Sequence, residues 1–366
     1  MMSWFTVNNI DEIDSPALLL YKERIQQNIR YAVSMVKDPR FLRPHVKTNK
    51  IAEVCEMMMA AGISKFKCAT IAEAEMLAMI RAKDVLLAYQ PVAPKTNRLL
   101  QLVEKYPETT FSCVLDHADA ADALSRVFSG AGKKMNVFID LNTGMKRSGI
   151  LPSKALALFY HIQQLPGVEL AGLHGYDGQI ADKNISERQE KSDSSYQELS
   201  ELLTKIEKLG HKKLIVVAGG SPTFPTHVNR KVECSPGTFV FWDYGYKNQL
   251  PDEPFDYAAL VVTRVISIVD EETVTTDLGH KSVAAENPLP RVYFLNAPDA
   301  TPVRQSEEHL VLQVPSSSKY KIGDVLYGVP VHICPTVALY DTATVVENGN
   351  AVTTWQVIAR NRKITI

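Results

Sequence analysis

The chain has 366 residues, 45% of them hydrophobic, with 40 Lys and Arg set against 41 Asp and Glu for a formal net charge of -1. That length buries a large core and allows one big domain plus a smaller one. A near-neutral chain has no bulk field to gather phosphate backbones or anionic lipid, which argues against nucleic acid or a membrane as partner and for a small polar substrate.

Cys55, Cys68, Cys113, Cys234 and Cys334 are scattered and odd in number, and the N-terminus lacks a basic segment leading into an apolar one. Both features read as a reducing, cytoplasmic setting. No apolar run approaches the roughly 20 residues that a membrane helix requires.

After Asp14-Ser15-Pro16, residues 17–21 read as a strand, and 22–37 place Ile25, Ile29, Val33 and Val36 on one helical face. Strand candidates follow at 44–47, 65–70, 85–89, 111–116, 135–140, 170–176, 214–219 and 232–241. Helical patterns lie between most of them, at 51–61, 72–81, 120–128, 153–164 and 186–208. About eight strand-helix repeats indicate a parallel (β/α)8 barrel, in which function sits where strands end and loops begin. Lys47, Asp140, Tyr176 and Gly219 fall at such ends.

Past Pro251 the texture changes to Val, Thr and turn residues, with strands expected at 260–269, 273–278, 291–295, 310–314, 324–327, 342–346 and 355–358. The expected division is an α/β barrel domain over 1–250 and a smaller, mostly antiparallel β domain over 251–366, with segment 1–15 a candidate to pack with the second. The boundary falls in the Pro/Asp-rich connection near Leu250 to Pro254.

Five segments could carry chemistry. In Arg43-Pro44-His45-Val46-Lys47-Thr48-Asn49-Lys50, strand alternation places His45, Lys47 and Asn49 on one face, so Lys47 can point inward and hold an aldehyde cofactor as a Schiff base. The plain alternative is a solvated lysine at a strand end. In Val216-Val217-Ala218-Gly219-Gly220-Ser221-Pro222-Thr223 an apolar strand runs into glycines and hydroxyls that suit a phosphate, or simply a tight turn. Asp140 to Gly149 brings Arg147 to a strand tip, where it could face the phenolate oxygen of a pyridoxal ring or form a surface pair.

Gly172 to Gln179 ends another strand with Tyr176, which could lie on a cofactor or serve as a core aromatic, and His174 shares its strand face. In Val329-Pro330-Val331-His332-Ile333-Cys334-Pro335 an extended backbone would point His332 and Cys334 the same way. Nitrogen and sulfur together suit Zn²⁺, with open positions for water or a substrate hydroxyl; a buried structural Cys beside a core His is the alternative.

These segments, in this order from about Asp14 to Tyr340, resemble the family of D-threonine aldolases and eukaryotic-type D-serine dehydratases, with its alanine-racemase-like N-terminal barrel. The resemblance implies pyridoxal 5'-phosphate on Lys47, with His45 beside it, Arg147 at the phenolate, Tyr176 against the ring, and Gly219, Gly220, Ser221 and Thr223 at the phosphate. It implies a divalent metal at His332 and Cys334, zinc before manganese, and a homodimer. Aldolases of the family resemble one another in carrying Asp at the second metal position and His six residues after the tyrosine, where this chain has Cys334 and Asp182.

The expected activity is therefore a lyase of β-hydroxy-D-amino acids. Cys334 tilts it slightly towards dehydration to a keto acid and ammonia, while retro-aldol cleavage to glycine and an aldehyde is the alternative, with Asp182 a candidate base. An amino-acid racemase and a non-catalytic pyridoxal-phosphate-binding protein complete the options.

Overall fold

A computed structural model describes residues 3–211 and 213–366. It divides into two compact units. One comprises Ala32–Lys47, Cys55–Gly237 and Asn361–Ile366, and the other Met1–Tyr31, Thr48–Val54 and Thr238–Arg360. The first strand, β1 (Ala17–Tyr21), falls inside the range expected for the barrel but belongs to the second unit.

The first unit is built on a parallel sheet of β2 (Lys65–Cys68), β3 (Asp84–Leu87), β4 (Thr110–Leu115), β5 (Met135–Leu141), β6 (Val168–Gly175), β7 (Ile215–Ala218) and β8 (Glu233–Cys234), paired in that order. Residues 42–46 fill the eighth place without forming a strand. Leu42 bridges Cys234 on one side and His45 bridges Lys67 on the other, both in parallel. The Arg43 and His45 N–H groups donate to the carbonyls of Cys234 and Pro236 at 2.8 and 3.0 Å, while the Lys67 N–H donates to Pro44 at 2.8 Å. The barrel is thereby closed. Pro44 offers no N–H and the chain turns from Val46 onward, so pairing stops after single bridges.

Other boundaries differ from the sequence reading for local reasons. The strand expected through Thr70 ends at Cys68 because Thr70 caps the helix Ile71–Met79, its hydroxyl oxygen accepting the Glu73 N–H at 3.1 Å. The helix Pro94–Lys105 has no counterpart among the expected helices, since Thr96, Leu99 and Leu102 alone are buried and the apolar stripe is thin. The strand expected over 232–241 shrinks to β8, followed by a 3-10 turn at Thr238–Val240.

Inside the barrel, Leu86, Val114, Phe138 and Val217 form an apolar cluster from four strands. Burial of a side chain such as Phe138 contributes about 1.5–3 kcal/mol. Beside this cluster runs an ion network. Arg43, fully buried, places Nε 2.6 Å from Glu233 and its terminal nitrogens 2.7 and 3.0 Å from Asp84, and Lys65 also pairs with Glu233. Burial disfavours the Arg43 charge, but Asp84 and Glu233 together outweigh it and raise the guanidinium above its ordinary value. Arg43→Met would leave Asp84 without its buried partner and Glu233 with Lys65 alone at the barrel seam, and a loss of about 3–5 kcal/mol is expected in urea unfolding.

The second unit is organised by β9 (Ala259–Asp270), β10 (Thr273–Thr276), β11 (Val292–Phe294), β12 (Thr301–Gln305), β13 (Leu310–Gln313), β14 (Val325–Pro330), β15 (Thr342–Glu347) and β16 (Asn350–Gln356). β1 lies between β9, antiparallel, and β15, parallel. Leu19, Tyr21, Leu260, Val262, Tyr327, Val329 and Val346 pack one face into a core. β12 escaped the sequence reading because Pro302 and Arg304 interrupt its apolar pattern. β16 starts earlier than expected because Asn348 and Gly349, with φ of 48° and 75°, form the tight turn that lets the chain pair back on β15.

Candidate active site

Period-two alternation carries the inward face of β5 from Phe138 to Asp140, and that of β6 from Gly172 to His174. The last inward position of each strand, at the C-terminal mouth, is thus polar. Asp140 and His174 are register partners, with His174 Nδ1 2.7 Å from Asp140 Oδ1. Ser148 donates its hydroxyl to the other carboxylate oxygen at 3.1 Å. The carboxylate holds the imidazole in the Nδ1–H form, leaving Nε2 as an acceptor that faces Lys67 Nζ at 3.5 Å.

Lys67 comes from β2, which brings it to the same mouth, and it is 2% exposed. Burial and the charge of Lys47 push its ammonium down to about 7, against the pull of Asp140 and Asp177. His174 is likewise lowered by burial, though Asp140 partly opposes this. Burial would raise Asp140, but His174, Ser148 and Lys67 outweigh it and hold the carboxyl below its ordinary range.

One cavity at this mouth is lined by His45, Lys47, Lys67, Arg147, His174 and Tyr176, among others. Four expected site residues, His45, Lys47, Arg147 and Tyr176, therefore share a pocket. Their route there differs from the expected alternation. Residues 46–49 form a turn, and the Lys47 N–H lies 3.3 Å from His45 Nδ1, so no continuous strand face links His45, Lys47 and Asn49. Arg147 stands over the face of Tyr176, its guanidinium carbon 5.0 Å from the ring centre.

The glycine loop follows β7. Gly219 has φ of 79°, a conformation that needs glycine, and a Cβ at Gly220 would come within 2.8 Å of the Tyr176 ring. The loop and the tyrosine are therefore shaped against each other. Thr223 accepts the Gly220 N–H at 3.2 Å and donates to buried Asp177 at 2.6 Å, and Asp177 also holds His227 Nε2 at 2.8 Å. The Thr223 hydroxyl thus organises the loop from beneath. Ser221 Oγ accepts the Gly237 N–H at 3.2 Å, bringing the backbone after β8 to the same rim.

Asp182 does not line this cavity. It pairs with Lys191, whose hydrogen bond holds its carboxyl below the ordinary range, the opposite of what a base raised towards neutrality requires.

In the second unit, the sequence expectation of an extended His332-Ile333-Cys334 is replaced by a cap and a first helical turn. His332 precedes the helix Ile333–Val337, and buried Asp243 accepts the Ile333 N–H at 3.1 Å. Pro335 suits a first turn, where its missing N–H goes unneeded. The two ligand candidates are still brought together. Burial lowers His332, but hydrogen bonding and charge from Cys334, then Glu286, more than reverse this and raise the imidazole to about 9. His332 Nδ1 lies 2.5 Å from Glu286, and Cys334 Sγ lies 3.1 Å from Thr48 Oγ1 and 3.5 Å from Thr238 Oγ1.

Among the described residues no group of three His, Cys, Asp or Glu side chains converges to hold a metal. An imidazole touching a thiol, with its other nitrogen on a carboxylate, is nonetheless the donor chemistry of a two-ligand site left open to exogenous oxygen. Pyridoxal phosphate fits the first unit on separate grounds: an amine, a guanidinium over an aromatic face, and a loop shaped by glycine within one mouth.

Sequence reasoning missed Lys67, Asp177, Glu286 and Asp243. Lys67 left a faint signal, as a lysine enclosed by Phe66 and Cys68 in a buried strand. Glu286 left none, because it is 46 residues from His332.

The family described as alanine racemase, N-terminal domain, matches residues 21–245, and the family described as putative serine dehydratase domain matches residues 258–346. The chain belongs to the first family, and the two domains together place it among the lyases that include D-amino acid aldolases and dehydratases. It is 27% identical to a D-threonine aldolase of an Arthrobacter species, with 95% of this chain and 93% of the relative covered. It is also 27% identical to a 3-hydroxy-D-aspartate aldolase of Paracoccus denitrificans (strain Pd 1222), with 96% and 93% covered. Among solved structures, a D-threonine aldolase from Filomicrobium marinum superposes with a TM-score of 0.87 at 25% identity, covering 95% of each chain. Membership of this family implies pyridoxal phosphate as the cofactor.

Proposed function

We propose that this chain cleaves β-hydroxy-D-amino acids, using pyridoxal phosphate held by Lys47 and a divalent metal held by His332 and Cys334. The observation that carries the reading is the convergence of Lys47, His45, Arg147 and Tyr176 on one cavity at the barrel mouth. When bound, the cofactor supplies an electron sink for a bond broken at Cα. Lys47 would anchor it through its side-chain amine. Arg147 and Tyr176 orient the ring, and Gly219, Gly220 and Ser221 receive the phosphate on a loop that Thr223 and Asp177 keep in shape. The metal supplies Lewis-acid polarisation of a hydroxyl, and the thiolate of Cys334 favours zinc over manganese.

Retro-aldol cleavage to glycine and an aldehyde is placed first, reversing the slight lean that Cys334 gives to dehydration, because relatives named aldolases align over nearly the whole chain at 27% identity, while those named dehydratases align as fully at 24% and 21%. Dehydration to a keto acid and ammonia is the second branch. It is supported by the sulfur ligand at Cys334 and by the second family match. None of the five cysteines forms a disulfide, which supports a reducing compartment such as the cytoplasm, and no helix among the described residues is long and apolar enough to cross a membrane. A homodimer completes the reading.

The test is direct. Incubation with D-threonine, D-serine and D-3-hydroxyaspartate is expected to give glycine with the corresponding aldehyde. Keto acid with ammonia would move the assignment to the second branch, and no product from any of the three would reject both.

A further inference from the structure

We propose that Lys67 is a catalytic residue, the amine that exchanges a proton with the substrate's β-oxygen while His174 and Asp140 hold it in position. The inference rests on the lyase reading above and applies to both of its branches.

Lys67 enters the pocket from β2 at the barrel mouth, beside Lys47. Its Nζ faces His174 Nε2, and the imidazole is fixed in turn by Asp140 and Ser148. This chain of contacts has the form of a base oriented by a second group that is oriented by a third. A lysine needed only for packing would not require a buried carboxylate two residues away through an imidazole. The groups facing it are Lys47 and Arg43 from the closing segment, Asp140 from β5, and His174 and Asp177 from β6 and its loop, with the Tyr176 ring centre 5.7 Å from Nζ. Their sum, with burial, leaves an amine that holds or releases a proton near neutrality. The pairing of Asp182 with Lys191 removes the other candidate that the sequence offered.

The proton count closes without a further reactant. In retro-aldol cleavage the neutral Lys67 amine takes the hydroxyl proton, so an N–H bond forms as the O–H bond breaks. The freed oxygen pair becomes the second C=O bond, the Cα–Cβ bond breaks with its pair left at Cα, and a proton equal to the one taken returns to Cα as glycine forms. In dehydration the Lys67 ammonium gives its proton to the departing oxygen, the C–O bond breaks, and water leaves. The proton lost from Cα then balances the one given.

The experiment compares the pyridoxal-phosphate-loaded wild type with Lys67→Met, Lys67→Arg and Lys67→Ala. Lys67→Met is expected to keep the visible cofactor absorbance and to lose about 10³-fold in kcat/KM, within the range supplied by acid–base groups. Lys67→Arg should stay equally low, because a guanidinium does not give up its proton. Ethylamine should restore Lys67→Ala by about tenfold or more, which a purely structural lysine would not allow. In the retro-aldol branch the wild-type kcat/KM should rise as pH passes through about 7, where the amine becomes neutral, and Lys67→Met should lose that limb.

Should the variants fail to fold, the wild-type holoenzyme labelled with ¹⁵N at lysine Nζ answers instead, with one amine expected to titrate near 7. A Lys67→Met enzyme within about threefold of wild type overturns the proposal. So does activity in Lys67→Arg, loss of the cofactor band together with activity, or the absence of any lysine titrating near neutrality. Failure of the wild type to turn over any β-hydroxy-D-amino acid, with the titration intact, identifies the functional reading as the error instead.

Discussion

Lys47→Ala is expected to abolish the visible absorbance that a lysine-bound pyridoxal phosphate gives the purified protein, and to reduce turnover by at least about 10³-fold. The expectation follows from the proposed covalent role of Lys47 and from its place in the pocket beside Arg147 and Tyr176. Cofactor held only by the Gly219–Ser221 loop and by Arg147 would keep the absorbance of a free aldehyde and would dialyse away. Absorbance spectra before and after dialysis, with borohydride reduction and peptide mapping, check this. A retained band would mean that a second lysine captures the aldehyde. The neighbour in position to do so is Lys67, which shares the cavity; Lys50 is half-buried in a segment assigned to the other compact unit. A retained band in Lys47→Ala that disappears in the Lys47→Ala, Lys67→Ala double variant would sink the anchoring role given to Lys47.

How much of this was readable beforehand depends on which residues are tied to local pattern and which to packing. The barrel was readable because strand and helix signatures alternate, and because each β strand ends in a change of texture: Asp140 after Phe138-Ile139, Gly219 after Val217-Ala218. Lys47, Arg147, Tyr176 and the glycine loop all lie near such changes, which is what makes them candidates, and Lys47, Arg147 and Tyr176 line one cavity. Closure of the barrel was harder to read. Residues 42–46 hold the eighth place through two bridges and a buried arginine, and nothing in a period-two pattern announces that Arg43 will reach Glu233, 190 residues away.

Lys67, Asp177 and Glu286 belong to that second kind. Each acquires meaning from a partner distant in sequence, His174, Thr223 and His332 respectively, and a single chain read in order does not show those pairings. β1 is the opposite case, a strand whose existence was plain but whose sheet was decided by pairing with β9 and β15. His332-Ile333-Cys334 shows that a local geometric premise can fail while the pairing of side chains survives. The backbone turns into a helix capped by Asp243, yet the imidazole still meets the thiol.

That pairing makes the metal prediction specific. His332→Ala and Cys334→Ala are each expected to lower bound metal, measured by atomic emission after dialysis, to less than about one-tenth of the wild-type content, because a site with two protein ligands retains little affinity on one. Lyase turnover should fall by about 100-fold or more with it, since Lewis-acid polarisation of the hydroxyl is lost. The visible cofactor band should remain, because no residue assigned to the ring or phosphate lies in this segment. Glu286→Gln tests the same site one step outward. Its carboxylate lies 2.5 Å from His332 Nδ1, and removing the charge weakens the imidazole as a ligand without deleting it. A loss of about 10–100-fold in metal affinity is expected, recoverable by excess metal. The ordering matters more than any single value, with Glu286→Gln rescued by added Zn²⁺ and Cys334→Ala not rescued. Full metal content and full activity in Cys334→Ala would show that the thiol is structural and that the metal, if the enzyme uses one, is held elsewhere.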